Sequence, residues 1–301
     1  MCWMDTNRKK WIYLIVLSLI WGSSYILIKK GLVGLTPIQL GAVRVLFSSI
    51  FLFLIGFKWL WKIEKSKWKW IAASAMSGTF IPVFLFAYAE TEIDSSIASI
   101  LNSLVPLFTI FIGFLVFKVD FTKNQVVGVV VGLLGAILLI FQGANVNPGQ
   151  NYFFALLVVI AAVCYAINAN IVKSKLQEVP VMAISVGIFA VMIFPAIIVL
   201  LFSGVFKTET LQNEAFQTSL LYIAVLAVFG TGMAKILFNK LIQISNAVFS
   251  TSVTYLIPVV GIFWGILDGE KFTSIHLLAS GIILLGVYIV NKGRKKETPK
   301  T

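Results

Sequence analysis

Ser95-Ser-Ile-Ala-Ser-Ile-Leu-Asn-Ser-Leu-Val-Pro106 and Ala247-Val-Phe-Ser-Thr-Ser-Val-Thr-Tyr-Leu-Ile-Pro258 are two versions of one pattern, an apolar run with a stripe of small polar residues that ends on a proline. They lie 152 residues apart (95 to 247). The same shift places Gly78-Thr79 on Gly230-Thr231, Phe86 on Phe238, Leu104 on Leu256 and Gly113 on Gly265. After a one-residue slip, Phe121-Thr122 falls on Phe272-Thr273, Leu133-Leu134 on Leu284-Leu285 and Gly135 on Gly286. Leu and Val recur between any two apolar segments, whereas paired Gly and Pro at fixed spacing are hard to obtain by chance. The chain therefore reads as an internal duplication, residues 1–147 and 148–301.

What each copy contains follows from its apolar stretches. A helix that crosses a bilayer needs about 20 mostly apolar residues. Ten such stretches can be marked, roughly 11–28, 38–57, 70–89, 95–117, 124–141, 152–172, 181–203, 217–240, 246–267 and 273–291. The whole chain is 59% apolar and 12% charged, against about 45–50% and about 25% for an average soluble chain. A surface of that composition suits lipid, not water. The expected fold class is thus an all-α polytopic membrane protein of ten transmembrane helices, five per copy. Five is odd, so the second copy enters the membrane from the opposite side, which gives an inverted-topology repeat with the solute site between the copies.

The formal charge of +12 agrees with this reading. Lys and Arg sit in short clusters between apolar runs and form no groove-sized face, so nucleic acid is not an expected partner. With the N-terminus inside, nineteen cations fall on the inner side, from Arg8, Lys9 and Lys10 to Lys292, Arg294, Lys295, Lys296 and Lys300. Four, Lys29, Lys30, Lys207 and Lys271, fall outside, and Arg44 is left in a span. The split supports ten helices with both termini cytoplasmic in a plasma or inner membrane. Cys2 and Cys164 have no metal-ligand company and no plausible disulfide, so no metal and no cofactor is expected. The first apolar run, from Trp11 to Ile28, shows no cleavage pattern and reads as a retained helix.

Leu19-Ile-Trp-Gly-Ser-Ser-Tyr25, followed by Pro37 and Arg44, resembles the opening of the EamA-type branch of the drug/metabolite transporter superfamily. Ser250-Thr-Ser-Val-Thr-Tyr-Leu-Ile-Pro258, then Gly261, Gly265, Gly269-Glu270, Phe272-Thr273, Gly281 and Gly286, is similar to that family's closing signature. The resemblance implies ten helices in two five-helix repeats and export or exchange of small metabolites such as amino acids. One departure is visible: the first half has Lys118-Val119-Asp120 where the second has Gly269-Glu270-Lys271, so Glu270 need have no symmetric twin.

Polar residues inside spans map the interior, because lipid does not tolerate them. Ser95, Ser99, Asn102 and Pro106 recur at helical spacing on one face, and Thr251, Thr254, Tyr255 and Pro258 occupy the related positions. Such hydroxyls line a shared cavity or merely let helices pack closely. Pro106 and Pro258 remove backbone hydrogen bonds and are expected to bend their helices, as hinges or as static shape. Trp21 and Tyr25 on the first helix, and Tyr165 and Asn168 on the sixth, supply aromatic walls suited to amphipathic solutes. Arg44 and Lys235 either snorkel to an interface or face the cavity and attract a carboxylate or phosphate. No Asp or Glu is read as lying deep in a span. His276 reads as structural, at a helix start. The glycines of the fifth and tenth helices permit close approach, within the chain or in a homodimer.

The leading functional expectation is a secondary transporter, in particular an exporter, of small polar or amphipathic metabolites, by alternating access between the two repeats. A passive channel or facilitator would use the same cavity. An intramembrane enzyme is the weaker reading, since the chain has one histidine and no buried acid pair in view.

Overall fold

The computed structural model describes residues 6–118, 123–146, 149–271 and 273–292. Among the described residues every regular element is helical. Eight helices are long and apolar enough to cross a membrane: Arg8–Gly31 (α1), Pro37–Lys62 (α2), Lys65–Ala89 (α3), Ser95–Phe117 (α4), Tyr152–Lys175 (α6), Val181–Phe202 (α7), Glu214–Ile244 (α8) and Ala247–Leu267 (α9). Two further helices among the described residues are Lys123–Val146 (α5) and Ser274–Lys292 (α10). Their apolar described cores, Val126–Leu139 and Ser274–Gly286, are shorter. Asp120, Phe121-Thr122, Asn147, Phe272 and the cations after Lys292 fall outside the described residues.

Local chemistry explains the breaks between helices. Thr36 caps α2 reciprocally with Gln39, and Pro37 occupies the first turn, where its missing N–H costs nothing. Asn213 and Asn246 accept backbone N–H groups at the starts of α8 and α9. His276 accepts the backbone N–H of Thr273 at 3.2 Å and is buried at the start of α10.

The prolines do something different from bending a continuous helix. α4 is α-helical over Ser95–Leu101, passes through a 3-10 turn at Asn102–Leu104, and resumes at Val105 with Pro106 in its first turn. α9 repeats the sequence of events, with a 3-10 turn at Ser252–Tyr255 and Pro258 in the first turn of Ile257–Leu267. The missing N–H thus falls where a helix start leaves donors unpaired anyway. α3 and α8 each contain a π-helical segment, Met76–Phe80 and Leu226–Met233. These hold the Gly-Thr pairs at 78–79 and 230–231, so the sequence match extends to an unusual backbone feature.

α5 and α10 pack against each other more extensively than any other pair. A Cβ at Gly286 would collide with the backbone of Gly128 and Gly132, and one at Gly135 would meet the backbone of Ile283. Gly128, Gly132, Gly135 and Gly286 are therefore occupied within the chain, and the homodimer expectation loses these four as its contact surface, whereas Gly281 faces open space. The outward surface is apolar, with Leu54 82% and Phe202 87% exposed, as a lipid-facing exterior requires.

Candidate solute site

An internal cavity is walled by α1, α2, α3, α4, α6, α8 and α9. Its aromatic part is Trp21, Tyr25, Phe86, Tyr165 and Phe238. Trp21 meets Phe238 edge to face at 5.0 Å, Tyr25 meets Phe86 likewise at 5.6 Å, and Phe86 stacks on Tyr165 at 6.1 Å. In this pair and this trio each ring's plane is fixed by a neighbour, which makes walls in place of a set of free rotors. The polar part comprises Ser24, Thr79, Asn102, Asn168, Thr231, Thr251 and Thr254.

The π segments supply the cavity's backbone acceptors. Trp21 Nε1 donates to the carbonyl of Gly230 at 3.0 Å, and Lys235 Nζ donates to the carbonyl of Gly78 at 3.0 Å. The two acceptors are the glycines paired by the sequence shift. Neither position has room for a side chain: a Cβ at Gly78 would strike Asn168 Oδ1 and Lys235 Nζ, and one at Gly230 would strike Ser24 Oγ and Leu226. Glycine is favoured there by close approach, not by backbone angle, and any side chain would have to push these neighbours aside. Ser74 donates to Asn168 Oδ1 from the neighbouring turn of α3, which orients that amide.

Arg44 and Lys235 both line the cavity, and both are buried, 8% and 6% exposed. This decides against snorkelling for either one. Arg44 Nε donates to Thr231 Oγ1 at 2.8 Å. Of the other residues singled out in the sequence, Trp21, Tyr25, Asn102, Tyr165, Asn168, Thr251 and Thr254 meet at this cavity. Ser99 does not; its hydroxyl donates to the carbonyl of Ser96 and its side chain fills the space over Gly261. Tyr255 is outside the lining as well. Both belong to the polar stripes but sit at the flank that packs against neighbouring helices.

A second polar cluster closes the end of the bundle where α1 finishes and α4 starts. Lys29 Nζ pairs with Asp268 at 2.8 Å and Glu270 at 2.9 Å, and Lys30 pairs with Asp268 at 2.5 Å. Glu270 also accepts Ser95 N at 3.0 Å, Ser95 Oγ at 2.6 Å and Ser96 N at 3.1 Å, so it caps α4 from the far half of the chain. Burial disfavours the ionised form of Glu270, but the bonds from Lys29, Ser95 and Ser96 outweigh it and hold its carboxyl below the ordinary value. Asp268 is likewise held low, the Lys29 and Lys30 bonds overcoming a desolvation cost.

No acid is expected deep in a span, and a buried acid stands just past the end of one. Glu90, directly after the last turn of α3, is 7% exposed and its carboxyl oxygens have no hydrogen-bond partner among the described residues. Burial, reinforced by the charge of Glu270, keeps this carboxyl well above the usual carboxylate range despite Arg44 and Lys29. Asp94 is raised by burial too, although Gln150 donates to it at 2.9 Å. A signal for Glu90 existed: it stands four residues after Phe86, which continues the buried face of α3 by one turn.

Helices that turn an apolar exterior to lipid and enclose a polar and aromatic cavity define an integral membrane protein of the transporter class. Comparison with known proteins gives the particular group. The EamA-like transporter family matches residues 9–141 and again 153–292, and the chain belongs to that family. It is 28% identical over 286 residues to the uncharacterized inner membrane transporter YedA of Escherichia coli (strain K12), covering 93% of this chain and 90% of the relative. It is 25% identical to a probable amino-acid metabolite efflux pump of Salmonella typhimurium, covering 94% and 95%. A protein of known crystal structure shares the fold with a TM-score of 0.67 at 15% identity, over 95% of this chain and 98% of that one.

Proposed function

We propose that the protein is a secondary transporter that exports small polar or amphipathic metabolites by alternating access between two inverted five-helix repeats, residues 1–147 and 148–301. In this reading α5 and α10 are the fifth and tenth spans, both termini are cytoplasmic, and the protein resides in a plasma or inner membrane. The observation that carries it is the cavity itself. Its wall draws matched positions from both halves, Phe86 with Phe238 and Gly78-Thr79 with Gly230-Thr231, so a rocking of one half against the other would open it to alternate sides.

The charge cluster of Lys29, Lys30, Asp268 and Glu270 supports the same cycle. It joins α1 to the chain after α9 at the end assigned to the outside, where it would part when the cavity opens outward. Export is favoured by relatives that carry the words efflux pump, and metabolites of amino acids are the first candidates on the same ground. Vesicles with the protein should accumulate a metabolite from a cell extract against its gradient. Movement that stops at equal concentrations would establish a passive facilitator, and no movement of any metabolite would remove the transport reading.

A further inference from the structure

The charge balance of the cavity narrows the solute. Two strong bases, Arg44 and Lys235, are among its lining residues, and no carboxylic acid is. Among the described residues neither forms an ion pair, and each has one hydrogen-bond acceptor, a hydroxyl of Thr231 for Arg44 and the carbonyl of Gly78 for Lys235. Glu90, the acid whose field reaches Arg44, is not in the lining and pairs with neither cation. Buried cations without a counter-charge are costly to hold, and a bound anion would complete the site. The remaining wall is aromatic, and no carboxylate in the lining could receive a substrate ammonium.

We infer that the cavity binds an organic anion, a carboxylate on an aromatic or branched apolar body, and that it selects such acids over the zwitterionic amino acids of the same shape. Arg44 and Lys235 receive the carboxylate, while Tyr25, Phe86 and Tyr165 hold the body. An α-ammonium beside that carboxylate would stand next to a cation with no carboxylate in the wall to receive it, and the attraction of ring faces for a cation does not offset a like charge at close range. This rests on the cavity being the solute site, and adds to it a sign of charge.

Three ligands of one shape separate the possibilities: 3-phenylpropanoate, its primary amide, and phenylalanine, titrated into the purified full-length protein with calorimetry. The acid should bind at least tenfold more tightly than either of the others. Lys235→Met should bring the acid to the level of the amide, and Lys235→Arg should retain part of the difference because the charge remains. Equal binding of the amide, equal or tighter binding of phenylalanine, or no saturable binding of the acid would each overturn the inference. The ligand series on the unaltered protein decides even if the variants fail to fold. Tighter binding of phenylalanine would leave the transport reading standing, since that reading falls only if vesicles move no metabolite.

Discussion

The molecule holds two groups of charges under opposite conditions. Where α1 ends, Lys29, Lys30, Asp268 and Glu270 satisfy one another, and Glu270 takes three further bonds from Ser95 and Ser96. In the cavity, Arg44 and Lys235 have neutral partners alone among the described residues. Saturated charges hold parts together, because separating them exposes each to an uncompensated interior. Unsaturated ones are a standing cost that a fold carries when something outside it completes the set. The contrast predicts opposite signs for charge removal at the two places.

The largest effect should come from Glu270→Ala. It strips α4 of its cap and leaves Lys29 with Asp268 as its sole acid, so unfolding in detergent should be easier by about 2–3 kcal/mol, less than a fully buried pair because Lys29 is partly exposed. The pH dependence has a fixed sign. A carboxyl held low in the folded state contributes fully above its unfolded value, about 4.3 for Glu, and the contribution is lost as pH falls through the lower folded value. Stability of the native protein should therefore not lose the Glu270 and Asp268 contribution between pH 7 and pH 5, and should lose it on further acidification. A steep loss already at pH 6 would show that the cluster is not held as ion pairs.

Next in size is Gly78→Ala, which attacks the cavity cation through its acceptor. The new methyl would displace Asn168 and Lys235, so transport should fall at least tenfold, with a stability cost of about 1–3 kcal/mol from overpacking. Gly281→Ala, where an added methyl meets nothing, is the control and should leave both unchanged. Equal behaviour of the two would mean the π segment yields easily.

Lys235→Met reverses the sign seen at Glu270. Removing a buried ammonium without an anion should leave the ligand-free protein as stable as before or more stable by about 1 kcal/mol, even as solute binding is lost. A destabilised Lys235→Met protein would place Lys235 with the structural charges, and the contrast between the two regions would disappear.

Much of this was legible in the sequence, for physical reasons that differ by residue. Helices and their membrane character follow from apolar runs of about 20 residues, and the eight long spans lie where the runs do. Trp21, Tyr165, Asn102 and Thr254 could be read as interior because a polar or aromatic side chain in an apolar stretch must find company inside. Which flank of a stripe faces the cavity was not legible, because neighbouring positions on one helix differ by a rotation that only packing sets. Ser99 and Tyr255 fall on the wrong flank for that reason. Glu90 was hidden differently: it stands in a connection, and connections are assumed to be wet until their packing is known. The π segments had no signature beyond Gly-Thr pairs, since a π turn inserts its extra residue without changing composition.

The smallest effect concerns the end of the first half, where the sequence departs from the second. Gly269, just before Glu270, has φ +82, and Lys118, its counterpart after the one-residue slip, has φ 55. Lys118 is the one non-glycine residue at positive φ among the described residues. Both halves thus close α4 and α9 with a left-handed turn, but the first does so with a residue that has a Cβ to accommodate. For an L-residue that conformation costs roughly 1–2 kcal/mol. Glycine removes the strain and gives part of the gain back through a more flexible unfolded chain. Lys118→Gly should therefore stabilise the protein by about 0.5–1 kcal/mol, whereas Gly269→Lys should destabilise it by about 1 kcal/mol and loosen Glu270 as well. The pair tests whether the turn exists to place a carboxylate. If Gly269→Lys weakens the protein no more than the turn strain alone, Glu270 keeps its bonds by adjusting. A larger loss, matched by a shift of the acid limb toward higher pH, would mean that the left-handed glycine is what aims Glu270 at Lys29 and the start of α4.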